Sequence, residues 1–325
     1  MKFWYRRGPL AWVLWPVSIV FGIAVRLRRI LYKLRLLPSK HPGLAVIVVG
    51  NLTVGGSGKT PLVLWTAEFL KAKGWSPAIV SRGYGAKLEA PRAATVADHA
   101  TDVGDEPIVL SRRSGCPVWV GADRVAVIAA LREQHPEVDV VILDDGLQHY
   151  RLRRDIEIAV VDSRGFGNGF MLPAGPLREP RSRLASVDAV VSHDNSSVQG
   201  FRMCLAGETL HRMTDSRDRR PLAAFAGQKV HAVAGIGDPN RFFLHLVERG
   251  LKVLPHPFPD HYAFSPQDLQ FGDSQSVLLT EKDAVKLRHV AAPHWWVLPV
   301  TANLDPAFSE WLLAKLDEWR RSKAA

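Results

Sequence analysis

"GLAVIVVGNLTVGGSGKTP", residues 43–61, decides the architecture. Its first half, residues 43–52, is a continuous apolar run rich in branched side chains, the pattern of a strand buried on both faces of a parallel sheet. Its second half ends in Gly58-Lys59-Thr60, which closes a G-x-x-x-x-G-K-[ST] phosphate loop with Thr53 where the first glycine usually stands. A phosphate cradle needs inward-facing backbone N–H groups, a helix N-terminus behind them, a lysine for the β- and γ-phosphates and a hydroxyl for Mg²⁺. Gly55, Gly56 and Gly58 supply the conformational freedom, Val54 and Ser57 complete the turn, Lys59 brings the charge and Thr60 the hydroxyl. A β-branched Thr53 is tolerable if the chain is still extended as it leaves the strand. Residues 53–60 are therefore the expected ATP-binding loop, with a helix from Pro61 to a stop at Gly74.

Further buried strands are expected at residues 78–81, 117–120, 138–143, 156–161 and 187–192, with a helix in "DRVAVIAALREQH" between two of them. Alternating strand and helix predicts an α/β fold of the P-loop NTPase type, a doubly wound and mostly parallel sheet. Residues 201–220 are polar and weakly periodic and read as a linker or hinge. The alternation then resumes at residues 230–235, 241–250, 276–280 and 295–300, which predicts a smaller second α/β unit over residues 221–325. The core unit spans residues 40–200. A chain of 325 residues suits about two such units.

An acidic partner for the loop is expected at the end of another buried strand, where "VDVVILDDG" places Asp144 and Asp145. Carboxylates there would help Thr60 hold Mg²⁺, a hard cation that prefers oxygen. A plain strand-to-turn aspartate pair is the alternative.

Residues 1–39 form a third region. From residue 9 to residue 25 there is no charge, and Arg26, Arg28, Arg29 and Lys33 follow among Leu27, Ile30, Leu31 and Leu34 at helical spacing. Seventeen uncharged residues are at the short edge of the roughly 20 that cross a bilayer. The basic residues at both ends and Trp4, Trp12 and Trp15 favour a monotopic helix in the interface, anchored from the cytoplasmic side. No small-residue cleavage site follows, so a removable secretory signal is not expected. A helix packed on the protein's own core is the competing reading.

The excess of 42 Lys+Arg over 32 Asp+Glu favours anionic partners. Much of it lies in the first forty residues beside tryptophans and leucines, so a phospholipid surface explains it better than nucleic acid, and no nucleic-acid partner is expected. Cys116 and Cys204 show neither metal nor disulfide spacing; both read as plain buried residues in a reducing compartment.

Polar islands in expected loops complete the set: "SRGYG" (81–85), "GDEP" (104–107), "DDGLQH" (144–149), "GPLREP" (175–180), "FPDHYAF" (258–264) and "TEKDAVK" (280–286). Singly each is compatible with turn chemistry. In this order behind "TVGGSGKTP" and a basic apolar N-terminus, they resemble the tetraacyldisaccharide 4'-kinases over nearly the whole chain, "DDGLQH" and "FPDHYAF" most specifically. The resemblance implies ATP-dependent phosphorylation of the 4'-hydroxyl of a tetraacylated glucosamine disaccharide 1-phosphate at the cytoplasmic face of a Gram-negative inner membrane. No protein partner is expected to be required, which is compatible with a monomer. It implies Asp105 as the base for the sugar hydroxyl with His261 as its partner, and Glu106 close by. Arg178 and Glu179 become lid residues, the first neutralising charge and the second in the metal shell. Gln148 and His149 would orient Asp145 or meet substrate, or only satisfy the turn, and Arg82 would meet substrate phosphate. A membrane-bound ATPase or GTPase switch is the alternative; "TEKD" carries its lysine one position too late for the guanine-binding [NT]-K-x-D pattern.

Overall fold

A computed structural model describes residues 2–194 and 196–324. The apolar run of the opening stretch becomes β1 (Ala45–Gly50), buried along its whole length. Its side chains alternate between two cores: Ala45, Ile47 and Val49 face one, Val46 and Val48 the other. A strand apolar on both sides is stable only between two helical layers, and that is where it lies.

Around it run β2 (Pro77–Ser81), β3 (Arg92–Ala93), β4 (Val118–Val120), β5 (Val140–Asp144), β6 (Ile156–Val161), β7 (Ala189–His193), β8 (Phe201–Ala206) and, from the far end of the chain, β15 (Thr301–Leu304). The sheet has nine strands in the order β15-β8-β7-β6-β1-β5-β2-β4-β3. It is parallel from β8 to β4 and antiparallel only at its two edges. The strand order reverses at β1, so β1 and β5 open a crevice at their carboxyl ends. The six-stranded second sheet holds β9 (Thr209–Arg212), β10 (Arg219–Pro221), β11 (Lys229–Ala234), β12 (Lys252–Pro257), β13 (Val277–Thr280) and β14 (Trp295–Leu298).

The helices are α1 (Pro9–Lys33), α2 (Lys59–Ala72), α3 (Ala100–Val103), α4 (Asp105–Ser114), α5 (Arg124–Gln134), α6 (Pro239–Glu248), α7 (Glu281–Ala284) and α8 (Pro306–Ala324). Helix α5 begins where the Asp123 carboxylate accepts from the Val125 amide, a side-chain N-cap.

Two expectations about organisation change. The segment 201–220 is not a bare linker, because it carries β8 in the large sheet and β9 and β10 in the small one. The chain after residue 300 also leaves the second unit: β15 pairs with β8, and Phe308, Leu312 and Leu316 of α8 are fully buried in the core of the large sheet. Nor are both cysteines buried, since Cys204 is exposed and Cys116 only partly covered.

Candidate active site

The phosphate loop leaves β1 at Gly50 and enters α2 at Lys59. Gly55 and Gly58 have φ of +103° and +78°, conformations that a Cβ would strain. Thr53 is extended and forms an antiparallel bridge with Leu177, while the Val54 amide donates to the Pro176 carbonyl at 2.9 Å. The loop is thus shaped by a neighbouring segment at the position where the usual glycine is missing. Lys59 Nζ donates to Asn51 Oδ1 at 3.3 Å and lies 3.7 Å from Asp145.

Strand β5 runs beside β1, with Val49 opposite Asp144, so the two aspartates arrive at the mouth of the loop. They differ sharply. Asp144 is buried, and neither of its oxygens has a hydrogen-bond partner. Burial, with Glu106 nearby, pushes its carboxyl well above the usual range against the pull of Lys59. Asp145 has φ of +55°, a sparsely populated conformation for a residue with a side chain. Arg178 grips it through both oxygens at 2.7 and 2.9 Å. Burial opposes the charge on Asp145, but Lys59 and Arg178 outweigh it and hold the carboxyl far below its usual range. Arg178 also donates to the Asn51 carbonyl at 2.9 Å and to its side-chain oxygen.

Two expected roles in this corner meet a different arrangement. Glu179 is 1% exposed; one oxygen accepts from the Tyr150 hydroxyl and the other from Gln148 Nε2 at 3.2 Å. It faces into the protein, not toward the loop, and Gln148 spends its amide on Glu179 and on the Asn51 carbonyl. Both are braces under the site. His149 keeps a buried Nε2 without a partner; burial and Arg124 lower its pKa to about 4, which leaves the ring neutral at pH 7.

On the opposite wall, Gly104 with φ of +92° turns the chain into α4, and Asp105 is that helix's first residue. Asp105 is buried, and its Oδ2 lies 3.1 Å from His261 Nδ1. His261, with φ of +60°, comes from the second unit, as do Lys282 and Lys286. Lys282 reaches Asp260 at 3.0 Å, Glu106 at 3.1 Å and His261 Nε2 at 3.3 Å. Because an ammonium only donates, Nε2 accepts and Nδ1 carries the proton offered to Asp105. Burial favours a neutral Asp105, but the His261 hydrogen bond and the charges of Lys282 and Lys286 overcome it and hold the carboxyl at about 2. The same contact raises His261 despite its own burial.

Three supports had no motif to announce them. Arg164, clamped by Asp162, donates to the Gly56 carbonyl at 2.5 Å and to the Gly237 carbonyl at 2.8 Å. His193 Nε2 lies 3.0 Å from the Ser57 carbonyl, and Arg241 approaches Nδ1 at 3.2 Å. Burial and Arg241 bring His193 down to about 4, so the neutral ring donates from Nε2 and accepts at Nδ1. Both braces tie the phosphate loop to the second unit. Arg124, buried just after β4, carries an unpartnered Nε; burial and Arg82 lower its pKa to about 10. Arg82 itself is exposed where the chain leaves β2. Their only sequence signal was position, a polar residue at the carboxyl end of a buried strand.

A cleft of about 550 Å³ joins these walls, lined among others by Ser57, Lys59, Thr60, Glu106, His193 and Lys282. One side carries the phosphate loop and the other Glu106 and Lys282, which adjoin Asp105, an arrangement that suits phosphoryl transfer. A family model described as tetraacyldisaccharide-1-P 4'-kinase matches residues 10–317. A tetraacyldisaccharide 4'-kinase of Azoarcus sp. (strain BH72) is 46% identical over 98% of this chain and 96% of its own length. One from Methylobacillus flagellatus is 46% identical over 96% of this chain and 94% of that protein. In three dimensions, LpxK from Aquifex aeolicus, solved in complex with ATP, superposes with a TM-score of 0.79 at 28% identity, covering 94% of this chain and 99% of that one. The chain belongs to the tetraacyldisaccharide 4'-kinase family.

Proposed function

We propose that the chain transfers the γ-phosphoryl group of ATP to the 4'-hydroxyl of a tetraacylated glucosamine disaccharide 1-phosphate, a step in lipid A assembly. The observation that carries the reading is a cleft lined on one side by the phosphate loop and on the other by Glu106 and Lys282, the immediate surroundings of the buried, ionised Asp105. A hydrolytic switch has no need of the second wall.

Phosphoryl transfer is chiefly positioning and charge neutralisation. Residues 53–60 cradle the phosphates, with Lys59 at the head of α2 bridging the β- and γ-groups. Asp144 fits Mg²⁺, because its two buried oxygens have free lone pairs and Thr60 stands across the loop mouth. Asp145 and Glu179 fit it less well, since their oxygens are already taken by Arg178, Tyr150 and Gln148. When bound, the ion would supply positive charge to offset that developing on the phosphate oxygens. Arg178, fixed between Asp145 and Asn51, adds a planar guanidinium to the same charge. Asp105 accepts a hydrogen bond from the sugar hydroxyl and then its proton. With a carboxyl held near 2 it is a weak base, which suits a loose transition state in which the proton moves late. The hydrogen bond with His261 keeps that carboxylate ionised. The substrate's phosphate is assigned to Arg82 and the neighbouring Arg124, and its sugar to His149, whose Nε2 has no other partner.

The acylated substrate stays in the bilayer, so its kinase must work at the surface. Helix α1 is long and apolar enough to span, with mean hydropathy 1.9 in its most apolar window. It exposes Val13, Val20, Ile23 and Leu27; Arg6 and Arg7 precede it, and Arg26, Arg28 and Arg29 lie in its last turns. Basic residues at both ends support a helix that lies in the cytoplasmic interface rather than crossing.

The test is transfer of labelled γ-phosphate from ATP to tetraacyldisaccharide 1-phosphate in mixed micelles, with Asp105→Ala and Lys59→Ala in parallel. Label in the lipid, lost in both variants, is the expected result. Release of inorganic phosphate without labelled lipid would instead identify an ATPase switch.

A further inference from the structure

The apolar run from residue 9 to residue 25 contains one hydroxyl, Ser18. Most of α1 is exposed, yet Ser18 is 4% exposed, and with Ala11 and Gly22 it makes up the helix's buried side chains. Its Oγ donates to the Met171 carbonyl at 2.9 Å and accepts from the Ala174 amide at 2.9 Å. Gly22 leaves room for the same partner: a Cβ there would come within 3.1 Å of Met171 Sδ. The chain before α1 joins in, because Trp4 Nε1 donates to the Pro173 carbonyl and Arg7 to the Asn168 carbonyl.

What these contacts grip is the segment that shapes the phosphate site. Within it, the Leu172 amide donates to the Leu177 carbonyl at 2.9 Å and the Leu177 amide to the Phe170 carbonyl at 3.2 Å, a small closed loop. Its far end takes the Val54 amide on the Pro176 carbonyl, pairs Leu177 with Thr53, and delivers Arg178, whose amide donates to the Leu52 carbonyl at 2.7 Å. An unbroken set of hydrogen bonds therefore runs from the middle of α1 to the phosphate loop and to Arg178.

We propose that Ser18 is a positioning residue for phosphoryl transfer: through Met171 and Ala174 the surface helix holds Arg178 and residues 53–54 in register, so α1 is a working part of the catalytic site as well as an anchor. A hydroxyl is needed because the loop offers both a carbonyl and an amide to an otherwise apolar helix. Left unmatched in a dry contact, each would be a buried polar group without a partner. The inference rests on the proposed role of Arg178 and the phosphate loop.

The experiment compares full-length wild type, Ser18→Ala, Ser18→Thr and Gly22→Leu with a lipid-facing control, Val20→Ser, whose parent side chain is 67% exposed. Turnover in mixed micelles, affinity for a fluorescent ATP analogue and flotation with anionic vesicles are measured on each. Ser18→Ala should lower kcat roughly tenfold, the worth of two buried hydrogen bonds, with unchanged lipid KM and unchanged flotation. Ser18→Thr should recover most of the loss, Gly22→Leu should reproduce it by displacing Met171, and Val20→Ser should weaken flotation alone. Wild-type turnover in Ser18→Ala, or a loss that merely tracks flotation across the series, overturns the proposal. If no variant, wild type included, labels the lipid, the proposed reaction fails; nucleotide affinity then still decides whether Ser18 supports the phosphate loop.

Discussion

Asp105 and Asp144 are both buried carboxylates, one at the head of α4 and one at the end of β5, and the protein treats them in opposite ways. Asp105 is surrounded by His261, Lys282 and Lys286 and is held ionised at about 2. Asp144 has two oxygens without partners and a carboxyl pushed upward. The first is a group whose charge the fold completes from within, through residues of the second unit. The second keeps its lone pairs uncommitted, as a ligand for a hard cation must. The contrast teaches that burial alone does not assign a role; the partners do.

Substituting each aspartate by its amide is the most direct way to break the comparison. Asp105→Asn should lower kcat by about 10²–10⁴-fold, the range for a lost general base, and should also destabilise the fold. Asp105's depressed carboxyl is worth about 2 kcal/mol relative to its ordinary 3.8, present above pH ~4 and lost as pH falls toward 2. Asp144→Asn should abolish turnover to a similar degree but raise thermal stability, because its folded carboxyl is raised and the ionised form at neutral pH opposes folding. Phosphate-transfer assays and melting curves on the two variants would show activity falling in both and stability moving in opposite directions. If both melt lower than wild type, the distinction between them fails.

His261→Ala sharpens the same contrast. With its first partner gone Asp105 should titrate higher, so the acid limb of the kcat/KM profile moves to higher pH and kcat falls by about 10-fold to 100-fold. An acid limb that stays in place would assign it to another group. The smallest effect belongs to the loop itself. Thr53→Gly restores the usual phosphate-loop pattern, yet the pairing of Thr53 with Leu177 already sets that backbone. Activity should therefore change less than about twofold while stability drops by about 0.5–1 kcal/mol, the entropic effect of glycine in an extended segment. Denaturant unfolding alongside initial rates would measure both.

Periodicity and composition determined the elements around the nucleotide: β1, the loop, α2 and the strand that ends at Asp144 are each local patterns whose signals lie within a few consecutive residues. The resemblance of short motifs extended that reading to Asp105, His261 and Arg178, and the fold pairs Asp105 with His261 and Arg178 with Asp145. Side-chain direction was not legible. Glu179 adjoins Arg178 in sequence, yet it turns inward to Tyr150 and Gln148, because the packed turn after β5 supplies donors there, with Arg183 3.7 Å away. Arg164, His193 and Arg241 carry no motif; they matter because parallel strands far apart in sequence end at the same loop. The return of β15 and α8 to the large sheet likewise depends on a non-local edge pairing. The sequence by itself determined the phosphate-loop pattern and the strand and helix on either side of it, since those properties are set by neighbours along the chain. Tertiary structure alone decided which carboxylate is satisfied, which lysine compensates it and which helix steadies the loop. Those outcomes depend on groups that meet only when distant segments pack.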